Sequence, residues 1–149
     1  MYKLIGVIGG SVIDEPLFQE VVKIGEMLAN FKVPVICGGG TGVMEAISKG
    51  VKNKGGTTIG ILPFEKENAN PYIDIAISTG IGYARNYIII NSSDIIIVID
   101  GKYGTLTEIG YSLQFGKPII GYKSDYAKKV GIKEAKTIND IKKFVEKNL

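Results

Sequence analysis

Apolar residues fall into short runs that end at glycine turns, and the runs alternate with stretches of helical spacing. Residues 4–8 form a first run, closed by Gly9-Gly10-Ser11. After Pro16, the set Val21, Ile24, Met27, Leu28 and Phe31 recurs at the period of one helix face. A second buried strand, 33–37, leads straight into Gly38-Gly39-Gly40-Thr41-Gly42 and a helix over 43–52 that packs through Ala46, Ile47 and Val51. The unit repeats: Gly55-Gly56 ends that helix, and residues 57–62 make a third strand that stops at Pro63. The polar stretch 64–72 reads as an exposed loop bordering the site, and 73–77 as a fourth strand.

Gly80-Ile81-Gly82 then turns the chain into a short helix through Tyr83, Tyr87, Ile88 and Asn91. The run 95–99, IIIVI, is too hydrophobic for anything but a strand buried on both faces. A glycine-bearing turn over 100–104 leads into a helix that starts at Thr105, has Leu106, Ile109, Gly110 and Leu113 on one face, and ends at Gly116-Lys117-Pro118. Residues 119–122 are the last strand, and Ile138, Ile141, Phe144 and Val145 mark an amphipathic C-terminal helix. Strands alternating with helices through short glycine turns predict an α/β fold, a doubly wound parallel sheet of the Rossmann kind with helices on both faces. In that architecture the strand-to-helix turns at 9–11, 38–42, 80–82 and 100–104 converge on one crevice at the carboxyl edge of the sheet.

At 149 residues the chain has the size of one domain, and 1–149 is read as a single phosphate- or nucleotide-binding unit. No apolar run reaches the roughly 20 residues of a membrane span, and the first residues lack the layout of a signal peptide, so a cytoplasmic location with no membrane contact is expected. The lone Cys37 allows no internal disulfide. With no histidine anywhere, Ser-His and Cys-His nucleophiles and histidine metal sites are excluded, and no metal site is expected. A net charge of +3, with its lysines scattered, argues against nucleic acid as a partner.

Candidate chemistry gathers in residues 85–108, RNYIIINSSDIIIVIDGKYGTLTE. Of 18 basic residues only Arg85 is arginine, which marks a position that needs a planar fork for an anion. It lies in the first turn of its helix, where a cation opposes the macrodipole, and Ile88 and Ile89 offer it no local partner. Either it pairs with Glu108 across the crevice, or both face a ligand. Thr105 and Glu108 have capping-box spacing, but Gly101-Lys102-Tyr103-Gly104 ahead of them suits close backbone approach to a ligand. The turn Gly38–Gly42 meets neither familiar nucleotide fingerprint. It is either a tight turn alone or an anion site made of glycine N–H groups and a helix N-terminus. Gly10 and Ser11 join the candidate ligand-binding set.

These residues resemble motifs of the Rossmann-fold proteins often mislabelled lysine decarboxylases. That family includes the cytokinin-activating nucleoside 5′-monophosphate phosphoribohydrolases and the molybdenum-cofactor carrier proteins. Gly38-Gly39-Gly40-Thr41-Gly42-Val43-Met44-Glu45 is similar to the family's first glycine motif. Asp100-Gly101-Lys102-Tyr103-Gly104-Thr105-Leu106-Thr107-Glu108 is similar to its P-G-G-x-G-T-x-x-E, with Arg85 at the interval of the catalytic arginine and Asp94 also matching. The resemblance implies that Arg85 and Glu108 are a catalytic pair and that Gly101, Gly104 and Thr105 hold the phosphate of a nucleoside monophosphate. Asp100 in place of proline and Lys102 in place of glycine depart from the pattern and bring the chain closer to the cofactor carriers. Two functions follow: N-glycosidic hydrolysis to free base and ribose 5-phosphate, or non-catalytic carriage of a nucleotide or a phosphorylated pterin such as molybdenum cofactor, with no other cofactor required. Lysine decarboxylation does not, because a pyridoxal-phosphate enzyme needs a larger binding apparatus. Tyr87, Tyr111, Phe115 and the isoleucine-rich helix exceed what one core buries, so a homo-oligomer is expected, dimer or tetramer.

Overall fold

A computed structural model describes residues 2–149. Six strands, β1 (Ile5–Gly9), β2 (Val35–Cys37), β3 (Thr58–Leu62), β4 (Ile75–Ser78), β5 (Ile95–Ile99) and β6 (Ile119–Tyr122), form one sheet in the order β4-β3-β2-β1-β5-β6, every pair parallel. Helices α1 (Glu15–Ala29), α2 (Val43–Asn53) and α6 (Ile138–Asn148) cover one face; α3 (Arg85–Ser92), α4 (Tyr103–Gln114) and α5 (Asp125–Lys129) cover the other. The fold is the expected single-domain, Rossmann-like α/β sandwich.

β5 shows why the run IIIVI has to be a central strand. Its side chains alternate, so Ile95, Ile97 and Ile99 enter the core under α1, α2 and α6, while Ile96 and Val98 enter the opposite core with Ile89, Ile90 and Ile109. On the first face α1 and α2 touch backbone to backbone at Gly25 and Gly50. A Cβ on Gly25 would lie 2.5 Å from Ile47 O, and one on Gly50 would strike Val22 O.

Several elements differ from expectation. The stretch 64–72 holds a 3-10 turn (Lys66–Asn68) and borders the second glycine turn, not the ligand cleft described below: Asn70 N donates to Gly39 O at 2.8 Å, and its Nδ2 donates to Gly40 O at 2.9 Å. Helix α4 begins at Tyr103, two residues before Thr105, so Thr105 and Glu108 form no capping box. Its buried positions are Thr105, Glu108, Ile109 and Ser112, whereas Leu113 is 49% exposed. The stripe that hydrophobic spacing assigns to the core is therefore turned partly outward. α5 has no counterpart in the apolar pattern, because five residues are too few to show a period.

Candidate functional site

β1 and β5 are neighbours, but the chain leaves β1 toward β2 and leaves β5 toward β6, which opens a crevice between their carboxyl ends. A cleft of about 200 Å³ lies there. Its walls are the β1 turn (Gly9, Gly10, Ser11, Val12), Gly38, the β5 turn with the start of α4 (Asp100, Lys102, Gly104, Thr105), and Tyr83, Arg85, Asn86 and Glu108. The missing side chain at Gly10 lets the Asp100 carboxylate approach the β1 turn closely, since a Cβ there would meet it.

Helix N-termini attract anions through N–H groups that have no acceptor within the helix. α1 is not open in this way, because Asp14 Oδ1 caps it by accepting from Leu17 N at 2.9 Å. At α2, Val43 N donates to Gly10 O at 2.9 Å, and just ahead of it the Thr41 hydroxyl donates to Ser11 O at 2.8 Å, which stitches the two turns together; its N-cap residue, Gly42, supplies no side-chain cap. α4 is different. Lys102 is its N-cap residue, no side chain caps it, and its first residues line the cleft. Asp100 and Gly101 reach this start in left-handed conformations, φ +53° and +107°. At Gly101 only glycine fits, because a Cβ would lie 2.5 Å from the Thr105 side chain.

Arg85 and Glu108 both line the cleft, and they are only 7% and 6% exposed. They form no salt bridge with each other. Burial pushes the Glu108 pKa up to about 8, with the attraction of Arg85 working the other way, so near neutral pH the carboxyl is mostly protonated. Burial also lowers the Arg85 pKa, and the Glu108 field opposes that shift. The guanidinium fits against Gly38, where a Cβ would sit 2.6 Å from Nη2, and Nη1 donates to Asn86 Oδ1. Arg85 Nε is buried and makes no hydrogen bond. A buried guanidinium beside a largely neutral acid, with one N–H unpaired, leaves uncompensated positive charge in the cleft wall.

Of the predicted site residues, Gly10, Ser11, Gly38, Arg85, Lys102, Gly104, Thr105 and Glu108 come together in the cleft lining. Gly39, Gly40, Thr41, Gly42, Gly101 and Tyr103 lie outside it; Gly39 and Gly40 accept from Asn70, and the Thr41 hydroxyl donates to Ser11 O. The turn 80–82 supplies no lining residue of its own, and Tyr83 stands there instead. Asp94 is remote from the cleft: its Oδ2 accepts from Leu4 N at 2.7 Å and ties β5 to the start of β1. Sequence reasoning missed Asn86, whose Nδ2 donates to Thr107 Oγ1 at 3.1 Å and Gly104 O at 3.4 Å, clamping α3 to the first turn of α4. Its adjacency to the lone arginine was the available signal.

A family model described as the SLOG cluster4 family matches residues 2–147. The chain belongs to that family. A protein of Archaeoglobus fulgidus is 44% identical over 119 residues, 80% of this chain and 79% of that protein. A probable cytokinin riboside 5′-monophosphate phosphoribohydrolase of Oryza sativa subsp. japonica is 32% identical over 92 residues, but these are 59% of this SLOG cluster4 chain and only 40% of the rice protein. Among solved structures, the molybdenum cofactor binding protein from Rippkaea orientalis superposes with a TM-score of 0.90 at 31% identity, covering 99% of this chain and 97% of that one. The molybdenum cofactor carrier protein from Chlamydomonas reinhardtii superposes with a TM-score of 0.90 at 29% identity, covering 99% and 98%. The SLOG cluster4 fold thus joins a hydrolase-like relative and carrier-like structures, as the motif resemblance implied.

Proposed function

We propose that this chain binds a phosphorylated heterocycle, either a nucleoside monophosphate or a phosphorylated pterin such as molybdenum cofactor, and carries it without turnover. The observation behind this reading is that Arg85, paired with no carboxylate among the described residues, lines the same cleft as the uncapped start of α4. The phosphate sits on the N–H groups of α4, with Lys102 and Arg85 supplying charge. An N-glycosidic hydrolase that stabilises a ribosyl cation or activates water with Glu108 would have it ionised. Glu108 is mostly protonated near neutral pH, and a bound phosphate favours its neutral form further. The match to carrier structures over nearly their whole length agrees with carriage.

Hydrolysis is the second reading, favoured by the retention of Arg85 and Glu108 in one cleft and by the rice relative. Water would attack the anomeric carbon as the C–N bond breaks, neutral Glu108 would give its proton to the leaving base and regain one from the attacking water, and ribose 5-phosphate would be the other product. Both readings place the protein in the cytoplasm as a homo-oligomer joined through α3 and α4. The exposed positions of those two helices carry no charged residue, and Tyr87, Tyr111 and Phe115 interlock on them.

The test is mass spectrometry of small molecules that copurify with the protein, followed by incubation with nucleoside monophosphates from neutral to alkaline pH. Saturable binding without release of free base supports carriage. Release of base that is lost in Glu108→Gln overturns it in favour of hydrolysis.

A further inference from the structure

A second groove, about 480 Å³, runs along the outer edge of the sheet between β6 and α6. Lys133 and Lys136 line it from the segment after α5. Lys143 and Lys147, four residues apart and so on one side of the helix, line it from α6. None of the four belongs to an ion pair among the described residues, where the pairs are Lys52–Asp74, Lys123–Glu20 and Lys142–Glu146. Of the two carboxylates in the groove, Asp140 also caps a helix. Its Oδ2 accepts from Lys136 N at 2.9 Å and Thr137 N at 3.1 Å to cap α6; with its charge and that of Glu134 counted, four lysines still face two carboxylates.

The floor combines half-buried Phe144 with the backbone of Ile119. In the ladder to β5, Ile96 N donates to Pro118 O and Asp100 N to Tyr122 O, so the backbone groups of Ile119 and Gly121 point outward. Those of Gly121 are taken: its N–H donates to Lys133 O at 2.9 Å, and its C=O accepts from Ala135 N at 2.7 Å. The outward groups of Ile119 have no such partner among the described residues, so the sheet edge is open at the level of the lysines.

The geometry points to this groove as the docking site for an acidic, extended segment of a partner protein. Its main chain adds to the edge at Ile119, and its carboxylates meet Lys133, Lys136, Lys143 and Lys147. The chain's own residues 133–135 already dock in this way, one step further along β6. Single-stranded nucleic acid fits less well, because the lining offers lysine point charges without arginine forks, and a single aromatic in place of a row of stacking platforms. The groove reaches Pro118 and Ile119 at the amino end of β6, whereas the cleft lies at the carboxyl ends of β1 and β5, so the partner leaves the cleft mouth uncovered.

The probe is a fluorescent peptide of alternating glutamate and valine, titrated by anisotropy against the whole chain. Saturable binding is expected, weakening about tenfold from low to high salt. Amide shifts should concentrate at residues 117–120 and 143–148. The double variant Lys143→Glu, Lys147→Glu should lose about tenfold in affinity or more, whereas Lys66→Glu, remote from the groove, should keep it. A peptide N-methylated along one edge should also bind more weakly. Absence of saturable binding, shifts centred elsewhere, an unaffected double variant, or equal binding of a single-stranded oligonucleotide of the same charge would overturn the assignment.

Discussion

Glu108 folds into a place that withholds its charge. The unfolded chain ionises it in the ordinary carboxylate range, whereas the folded protein holds it neutral up to about pH 8. Between those limits the native state binds more protons than the unfolded one, so this residue's contribution to stability falls as pH rises through that window and changes no further above it. Glu108→Gln, which cannot ionise, should therefore melt closer to wild type at pH 5 and progressively above it toward pH 8. The gap should grow by an amount on the order of a few kcal/mol. Melting curves at both pH values check this; a constant gap would mean that Glu108 is charged in the fold.

Arg85 depends on the missing side chain at position 38. A methyl there would lie 2.6 Å from Nη2 of Arg85 and 2.7 Å from Sδ of Met44, both at the ends of flexible side chains. Gly38→Ala should thus cost little stability, about 1 kcal/mol, while displacing the guanidinium and weakening nucleotide or phosphate binding about tenfold. Denaturant unfolding and calorimetric titration with inorganic phosphate separate the two effects. Arg85 and Glu108 were legible as a candidate pair because one is the lone arginine and the other ends the only GT-x-x-E of the chain. Their protonation and the absence of an ion pair were not, because these depend on burial, which residues far apart in sequence create together.

Among the elements, all six strands stand within about two residues of the positions that hydrophobic runs assign them. A strand buried on both faces needs a continuous apolar run, so the pattern is nearly sufficient. α4 shows where it is not. Its inner stripe carries Thr105, Glu108 and Ser112 because it faces the cleft and α3, and Ser112 Oγ satisfies itself on Glu108 O at 2.8 Å. Spacing reports which residues are apolar, and on this helix several of them face outward. The contact of α1 with α2 was equally hidden: Gly25 and Gly50 are ordinary helical glycines until the two helices meet. Gly50→Ala would drive a methyl into the carbonyl of Val22, backbone that cannot swing aside, and should destabilise by about 3 kcal/mol. Urea unfolding measures it, and a neutral result would show that the helices can separate without loss.

For the whole molecule, the uncharged outer surface of α3 and α4 is the feature a lone chain explains least. Tyr87 is 44% exposed, and its ring meets those of Tyr111 and Phe115 edge-on at 5.5 Å each. The homo-oligomer reading predicts that Tyr111→Glu together with Phe115→Glu yields monomers with melting behaviour consistent with a folded core, as measured by light scattering and calorimetry. Wild-type chain that runs as a monomer at micromolar concentration would reject it. Among the described residues no helix is long and apolar enough to cross a membrane.

The sequence by itself determined the strand–turn–helix succession, the parallel sheet and the segment that carries the site, because each follows from local hydrophobic period and from glycine where the backbone must turn. Tertiary structure alone decided that the uncapped start of α4 lines the cleft, while Asp14 caps α1 and the first N–H of α2 is bound to Gly10 O. It also decided that Gly38 makes room for Arg85, that Asn86 clamps α3 to α4, and that Glu108 is held neutral. Those outcomes rest on which distant atoms share one small, poorly solvated space, and packing the sheet between its two helix layers is what defines that space.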